Sequence, residues 1–335
     1  MNNRKRLNCG VIGVGRLGYQ HAMNLARNNR ANLVAVADPN EDARDLAVQD
    51  FGVEKTYDDY HKILEDPDIQ GVVIATPTKQ HYKVLVDTIN AGKSIFVEKP
   101  ITYTVEEAER ILEQVNSTNT YLQVGFMRRF DPGHVSAKQM IEAGEIGQPI
   151  YIHDCQRDPN GPPKHYVPES GGLFVDMGIH DLDCVRWLMN DEIVSIYAQG
   201  AVLKHQYLKE MDDVDQGHML ITFANNTLAD IEISRNANDI YDVRTEVIGT
   251  KSSVYIGQHQ LTPFVKVNGQ GMTYNLANWC LGRFEKAYEL EIAAFVDGVL
   301  NGEESPVDAF DGMIGLKLAM AATASYKQKA VVKIE

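Results

Sequence analysis

Cysteine is scarce in this chain, with four residues scattered among 335 and no C-x-x-C pair. This spacing argues against a framework of disulfides and predicts reduced thiols. Long apolar runs are lacking as well, so the sequence predicts no segment that spans a membrane. No apolar signal region follows the basic residues near the N-terminus. We therefore expect a cytoplasmic protein with no membrane partner.

Basic charge is also in short supply. Aspartate and glutamate (46) outnumber lysine and arginine (32), which gives a formal net charge of −14 at pH 7. Without a dense basic patch, this balance argues against a nucleic-acid partner. The sequence shows neither internal repeats nor a low-complexity linker. Its length is sufficient for two domains that each bury a core of their own.

A glycine-rich turn follows the first apolar run. Gly13, Gly15 and Gly18 match the pattern G-x-G-x-x-G. The first glycine permits a tight turn, the second lets a pyrophosphate approach the main chain, and the third lets the next helix pack closely on the strand. Arg16 and Leu17 begin that helix, whose free N–H groups can donate to the pyrophosphate. The pattern predicts a dinucleotide site that includes Gly13, Gly15, Arg16 and Leu17.

A second apolar run, 33–37, ends in Asp38. A carboxylate at this offset can accept hydrogen bonds from the hydroxyls of the adenosine ribose. Asp38 can also cap the next helix, with Pro39 as its first residue, and the two roles are compatible. Because the carboxylate would repel a 2′-phosphate and residues 39–41 include no arginine, we expect NAD rather than NADP as the cofactor.

Short apolar strands alternate with amphipathic helices up to about residue 125. The continuous apolar runs are typical of a parallel sheet that helices cover on both faces. Thr104 and Glu107 form the sequence pattern of a capping box. We therefore predict a doubly wound Rossmann domain over 1–125, with strands at 7–12, 32–37, 69–75, 94–98 and 120–124.

Longer strands joined by short turns follow in the rest of the chain. They predict an α+β domain over 126–335 with a large, mostly antiparallel open sheet. The helices that we expect at 171–189, 283–300 and 308–327 can cover only part of it, so another subunit should bury the remainder. The predicted strands are 148–156, 192–203, 215–223, 227–235, 242–249 and 252–256.

One predicted strand end carries Thr76-Pro77-Thr78, followed by His81. Ligands of doubly wound sheets bind beyond the carboxyl ends of the strands, which makes these residues candidates for cofactor contacts. The alternative is a plain turn that caps the following helix.

A second strand end carries Glu98-Lys99-Pro100. Pro100 disfavours a helical conformation at Lys99, so this lysine should project at the edge of the sheet. We expect Lys99 to be functional, although a solvated loop lysine is the usual alternative.

Asp176 and His180 are four residues apart, on one face of the predicted helix. Such a pair suits proton transfer, since the imidazole can take a hydroxyl proton while the carboxylate orients it. The pair can also be purely structural. A metal site that adds Asp183 or Cys184 is disfavoured, because no second histidine stands at ligand spacing, and we expect no metal.

The ordered motifs resemble the Gfo/Idh/MocA oxidoreductase family over essentially the whole chain. Within the family the chain is similar to bacterial inositol 2-dehydrogenases. The stretches that carry this second resemblance are 123–131, 157–159, Trp279, Arg283-Phe284, Tyr288 and Glu291.

The resemblance implies roles for particular residues. Lys99 would bond the reacting hydroxyl, while Asp176 and His180 would form the acid/base pair. The polyol pocket would be lined by Lys99, Arg128, Arg157, Asp158, Asp176, His180 and Tyr241. The cofactor would contact Gly13, Gly15, Arg16, Leu17, Asp38, Thr76, Pro77, Thr78, His81, Glu98, Lys99 and Arg128.

The implied activity is NAD-dependent oxidation of scyllo- or myo-inositol to the 2-keto inositol, by a homodimer or homotetramer assembled through the open sheet. Gln156 and Asp158 stand where the myo-inositol enzymes carry histidine and asparagine, and the segment 158–170 is rich in proline and glycine. These departures leave the isomer open. The alternatives are a related sugar dehydrogenase and a protein that senses NAD(H) without turnover.

Overall fold

The structure is a computed structural model and describes residues 5–238, 240–257, 261–262 and 264–334. The chain forms two compact units. The first unit contains the residues up to Met127 together with Lys286–Leu316, and the second contains Arg128–Glu285 with Lys317–Glu335. The segment 286–316, which the sequence analysis placed in the second domain, thus packs with the first. None of the helices in the described residues is long and apolar enough to cross a membrane.

The first unit is built on a six-stranded sheet whose neighbouring strands are all parallel. The five predicted strands are confirmed, and the addition is a three-residue strand, β3, too short for a periodic pattern. The order is β3-β2-β1-β4-β5-β6. The strands are β1 (Leu7–Ile12), β2 (Ala31–Ala37), β3 (Lys55–Tyr57), β4 (Gly71–Ile74), β5 (Ser94–Glu98) and β6 (Leu122–Gly125).

The connections of this sheet reverse direction between β1 and β4, which creates a crevice at the carboxyl ends of these strands. Thr104 and Glu107 form the predicted capping box at the start of α5. The helices of this region are α1 (Arg16–Arg27), α2 (Glu41–Phe51), α3 (His61–Glu65), α4 (Thr78–Asn90) and α5 (Val105–Thr118).

The second unit contains a seven-stranded sheet in the order β12-β11-β7-β10-β9-β8-β15. Within this sheet, only the pairing of β7 with β10 is parallel among the described strands, so the prediction of a mostly antiparallel sheet is confirmed. A hairpin of β13 and β14 stands apart. The strands are β7 (Pro149–Arg157), β8 (Ile193–Ala201), β9 (Gln216–Phe223), β10 (Leu228–Ser234), β11 (Asp242–Gly249), β12 (Ser253–Gly257), β13 (Lys266–Asn268), β14 (Gly271–Thr273) and β15 (Val332–Lys333).

The single helix predicted over 171–189 is instead two helices, α8 and α9, separated at Met177. Asp176 therefore ends one helix, and His180 lies in the first turn of the next. The longer helices α10 and α11 were predicted to within three residues at their ends. The remaining helices are α6 (Pro132–Glu142), α7 (Val167–Ser170), α8 (Leu173–Asp176), α9 (Gly178–Met189), α10 (Cys280–Asn301) and α11 (Ala309–Gln328).

One face of the large sheet presents apolar side chains to solvent. Leu220 of β9 is 58% exposed and Leu228 of β10 is 52% exposed. A groove on this face is lined by Tyr151, Tyr197 and Val331 in addition. The residues next to Leu220 and Leu228 in the strands, Met219 and Ala229, point to the opposite face and are buried. The sheet is thus apolar on both faces in this region.

Candidate dinucleotide and acid/base sites

The glycine-rich turn has the geometry that its pattern predicts. Gly13 has φ of +85°, and a Cβ there would lie 2.8 Å from the main-chain oxygen of Ala75. A Cβ on Gly18 would lie only 1.8 Å from the main-chain oxygen of Gly13. At Gly15, by contrast, a Cβ would meet no atom of the described residues within 4 Å. The first and third glycines are required by packing, whereas the second borders open space.

Helix α1 starts directly after this open position. Its N-cap is Gly15, and within the described residues no side chain caps it. Arg16 is exposed and Leu17 is half-buried, and the first turn contains no acidic residue. The N–H groups at the positive end of the helix can therefore receive an anionic ligand. This arrangement fits the pyrophosphate of a dinucleotide.

The Asp38 side chain is tied to the glycine-rich turn. Its Oδ2 accepts a hydrogen bond from the main-chain N–H of Val14 at 2.9 Å, and its Oδ1 accepts one from that of Asn40 at 2.9 Å. Helix α2 is capped by Asn40 rather than Asp38, so the second role, in which Asp38 caps this helix, is wrong. The sequence analysis missed Arg44, which donates to the main-chain oxygen of Asp38 at 2.6 Å.

His81 joins the two predicted strand-end loops. Its Nε2 lies 2.8 Å from the main-chain oxygen of Thr76, and its Nδ1 lies 2.8 Å from that of Pro100. The ring is buried, and burial lowers the pKa of His81. Helix α4 begins at Thr78, with Pro77 at its N-cap. His81 therefore fixes the loops from inside, and its predicted cofactor contact stays a prediction.

The hydroxyl of Thr76 lies at the same edge. Its Oγ1 is buried and has no hydrogen-bond partner among the residues that the structure describes. A buried hydroxyl without a partner is costly in a folded protein. It fits a position where a bound ligand supplies the missing hydrogen bond.

Lys99 follows the end of β5 and is half-buried. Its main-chain N–H donates to Glu98 Oε2 at 3.2 Å, and Glu98 Oε1 lies 2.7 Å from His21 Nε2. Glu98 is itself 5% exposed. The Glu98 side chain therefore holds the main chain from which Lys99 projects.

A second carboxyl group joins this pair. Glu291 is fully buried, and one atom each of His21, Glu98 and Glu291 lie within 4.8 Å of one another. Within the described part of the chain, neither carboxyl oxygen of Glu291 has a hydrogen-bond partner. Burial, followed by the charge of Glu98, raises the pKa of Glu291 well above its ordinary value. The spacing of 2.7 Å between His21 and Glu98 is that of a hydrogen bond.

In the second unit, the Asp176 carboxylate is held from two sides. Oδ1 accepts a hydrogen bond from the hydroxyl of Tyr166 at 2.8 Å, and Oδ2 accepts one from Arg235 Nη2 at 3.0 Å. His180 lies in the first turn of α9 and is 8% exposed. Sequence reasoning missed Arg235, because it lies 59 residues from Asp176 and belongs to no recognisable motif.

Arg128 is buried in an ion cluster next to α9. Its Nη1 lies 2.9 Å from Asp154 Oδ2 and 2.8 Å from Asp181 Oδ1, and its Nη2 donates to Gln156 at 2.6 Å. Burial raises the pKa of Asp181 well above its ordinary value, although the Arg128 cation opposes that shift. The Arg128 side chain is only 1% exposed. Its guanidinium thus links β7, through Asp154 and Gln156, to Asp181 of α9. Its contact with a ligand remains a prediction.

Three further predicted pocket residues lie near one another, where β7 ends and β11 begins. Arg157 forms ion pairs with Glu232 at 2.5 Å and Asp242 at 2.7 Å. The Asp158 N–H donates to the main-chain oxygen of Ser234 at 2.8 Å. The Tyr241 side chain is buried, and burial raises the pKa of Tyr241 well above its ordinary value.

The metal alternative finds little support in the second unit. Asp183 is bound by Arg129, with Nη2 2.6 Å from Oδ1. Cys184 is fully buried, and burial raises the pKa of its thiol well above the ordinary value. A protonated thiol and an arginine-paired carboxylate are poor ligands for a cation.

The parallel sheet with its glycine-rich turn and the mixed second sheet define a two-domain oxidoreductase with an NAD-binding Rossmann domain. The family model described as "Oxidoreductase family, NAD-binding Rossmann fold" matches residues 7–126, and the "GFO/IDH/MocA C-terminal domain" matches 134–255. The chain belongs to the Gfo/Idh/MocA family.

Relatives of known name match nearly the whole chain. The scyllo-inositol 2-dehydrogenase (NAD(+)) of Bacillus subtilis is 39% identical and covers 98% of this chain and 97% of its own. The myo-inositol 2-dehydrogenase of Thermotoga maritima is 35% identical, with coverages of 97% and 98%. The crystal structure of scyllo-inositol dehydrogenase from Lactobacillus casei with bound NAD(H) and scyllo-inositol superposes with a TM-score of 0.93, at 33% identity and coverages of 98% and 99%.

Proposed function

We propose that this protein is an NAD-dependent inositol 2-dehydrogenase that oxidises scyllo- or myo-inositol to the 2-keto inositol. The observation that carries the proposal is the similarity to the Bacillus subtilis scyllo-inositol 2-dehydrogenase over 98% of the chain. That similarity spans the glycine-rich turn, Lys99 and the pair Asp176 and His180 alike.

Residues of the first unit would hold the cofactor. The pyrophosphate would take the space beside Gly15 and the N–H groups at the start of α1, while Asp38 would accept hydrogen bonds from the ribose. Thr76, Pro77 and Thr78 would border the cofactor at the next strand end. When bound, NAD supplies the nicotinamide ring that takes up the hydride.

The protein's own side chains would carry out the proton transfer. His180 takes the proton from the substrate hydroxyl, and Asp176 orients the imidazole and stabilises its cation. Lys99 bonds the same oxygen and stabilises the negative charge that develops there as the proton leaves. The buried surroundings of His180 strengthen these electrostatic interactions.

We assign the choice of isomer to the segment around Gln156 and Asp158. Arg128 holds Gln156, and Arg157 lies between Glu232 and Asp242. These arginines would therefore shape the polyol pocket through the residues that they bind. Tyr241, buried near them in the second unit, would add its hydroxyl.

We further propose a cytoplasmic homodimer or homotetramer that assembles through the open sheet face. The exposed Leu220 and Leu228 support this assembly, because a subunit interface would bury both. Leu220→Asp should lower the molecular mass measured by light scattering. Leu203→Asp, at a side chain that is 64% exposed outside the sheet, serves as the matched control. An unchanged mass in Leu220→Asp would remove this face from the interface.

The function is tested by NADH formation from purified protein with NAD and scyllo-inositol, myo-inositol, D-chiro-inositol or D-glucose, repeated with NADP. D-chiro-inositol belongs in the panel because a relative from Lacticaseibacillus casei is named for it. Turnover of scyllo- or myo-inositol with NAD is the expected result. Turnover of glucose alone would replace the substrate, and NAD binding without turnover of any substrate would support the sensing alternative.

A further inference from the structure

Arg235 occupies a buried position between two carboxylates of the second unit. Its Nη2 lies 3.0 Å from Asp176 Oδ2, and its Nη1 lies 2.8 Å from Asp213 Oδ2. Only 1% of Arg235 is exposed. A buried cation that contacts two carboxylates is held firmly, since removal from either would leave a charge unpaired. The main-chain N–H of Arg235 also donates to the main-chain oxygen of Asp215 at 2.8 Å, which fixes the backbone that carries the side chain.

The second carboxylate, Asp213, also binds the start of the helix that carries Asp176. Its Oδ1 accepts a hydrogen bond from the main-chain N–H of Leu173 at 2.8 Å. Leu173 is the first residue of α8, and Asp176 is the last. The two side chains together therefore hold both ends of this helix.

Gly172 makes the close approach of Asp213 possible. It has φ of +85°, and a Cβ on this residue would lie 3.2 Å from Asp213 Oδ1. Most other residues would be strained in that conformation and would crowd the carboxylate. The residues before α8 are thus shaped to admit the Asp213 side chain.

Helix α8 is too short to be stable by itself. It has four residues, which is one turn, and such a short helix has no independent stability. Tyr166 supplies a third contact, by its hydroxyl to Asp176 Oδ1 at 2.8 Å. The place of the Asp176 carboxylate is therefore decided by side chains from outside its helix.

We propose that Arg235 is a positioning residue for the acid/base pair, and that with Asp213 it fixes the Asp176 carboxylate in the place from which it orients His180. This inference rests on the proposed function of Asp176. Arg235 touches no reacting atom in this proposal, because it acts only through Asp176. Lysine is a poor substitute, since its single ammonium group lacks the planar fork by which the guanidinium binds each carboxylate through a separate nitrogen.

The test compares Arg235→Met and Arg235→Lys with the wild type under saturating inositol and NAD. A misplacement of a catalytic group by ~1 Å costs about 10²-fold in rate, so we expect kcat to fall about 10²-fold in Arg235→Met. Arg235→Lys keeps the buried charge and should lose about tenfold. The Kd for NADH, measured by fluorescence, should stay at the wild-type value in both variants. A general loss of structure would lower NADH binding together with kcat.

Arg186→Met is the matched control. Arg186 lies on α9, the same helix as His180, but pairs at its far end with Glu192 at 2.8 Å. It should keep the wild-type kcat. The double variant Arg235→Met/Asp213→Asn removes the guanidinium without leaving Asp213 ionised beside it. It replaces Arg235→Met if that variant does not fold, and the same loss of kcat is expected.

A wild-type kcat in Arg235→Lys, or in a folded Arg235→Met or double variant, would overturn the proposal. If the wild type oxidises no inositol, the proposed function fails separately. The crystal structure of Arg235→Lys then decides the positioning role. An Asp176 carboxylate that keeps its wild-type position overturns that role, and a displaced carboxylate supports it.

Discussion

The glycine-rich turn of the first unit and the Asp176 region of the second are stabilised by different kinds of interaction. The turn depends on main-chain conformation and on the absence of side chains at Gly13 and Gly18. The Asp176 carboxylate depends instead on charged side chains that come from distant parts of the chain, Arg235 and Asp213. A site made from the main chain is local in sequence, whereas a site made from ion pairs is not. The first is therefore recognisable as a motif, and the second requires the folded chain.

The strongest test of this comparison is Gly18→Ala. Its Cβ would lie 1.8 Å from a main-chain oxygen, so we expect loss of the folded state or a large fall in Tm, measured by calorimetry. Gly15→Ala is the control, because its Cβ would meet no described atom within 4 Å. That variant should keep its Tm and lose NAD affinity. A stable Gly18→Ala would show that packing does not require the third glycine.

His180→Ala tests the site of the second unit. General acid/base catalysis contributes about 10²–10⁴-fold in rate, so kcat should fall by that range while the Kd for NADH is retained. His61→Ala, at a surface histidine of α3 whose side chain is 44% exposed, is the matched control and should keep the wild-type kcat. An unchanged kcat in His180→Ala would remove this residue from the mechanism.

Glu291→Gln tests whether a buried ionisable group also affects the stability of the first unit. The folded-state pKa of Glu291 is raised above the ordinary value of 4.5. The unfolded chain therefore binds fewer protons above that pH, and wild-type stability falls as the pH rises. The stability of Glu291→Gln relative to the wild type should therefore rise with pH above 4.5, by up to about 1.4 kcal/mol per pH unit until the folded-state pKa is reached.

The measurement is urea unfolding at several pH values. Glu289→Gln serves as its control, because Glu289 is 55% exposed on the same helix and pairs only on the surface with Lys286. It should show no such trend. An equal difference from the wild type at pH 5 and pH 8 in Glu291→Gln would contradict the protonated state of the buried carboxyl.

The smallest expected effect belongs to Asp38→Ala. The loss of a charge-assisted contact to the ribose should raise the Kd for NAD about tenfold. Because the same side chain accepts from Val14 N–H at 2.9 Å, Asp38→Asn is the informative partner variant. It keeps an acceptor for the turn while it removes the charge that repels a 2′-phosphate. Equal NAD affinity in Asp38→Ala, measured by calorimetric titration, would contradict the ribose contact.

Much of the fold could be predicted from the sequence. Most of the strands in the parallel sheet are short, largely apolar runs, and Thr104 with Glu107 signals a capping box by spacing alone. The break at Met177 was not predicted, because the four-residue spacing of Asp176 and His180 indicates one continuous helix. The packing of 286–316 with the first unit was not predicted from the sequence either. It depends on contacts between residues that are more than a hundred positions apart.

The sequence by itself determined the glycine-rich turn, the acid at the end of β2 and the presence of Lys99, Asp176 and His180. These features follow from local constraints on the main chain and from residue chemistry, which a linear pattern records. Only the tertiary structure decided what holds the charged groups. The pairing of Arg235 with Asp176, of Arg128 with Asp154 and of Glu98 with His21 joins distant residues. Burial makes such pairings strong, but no spacing rule encodes them.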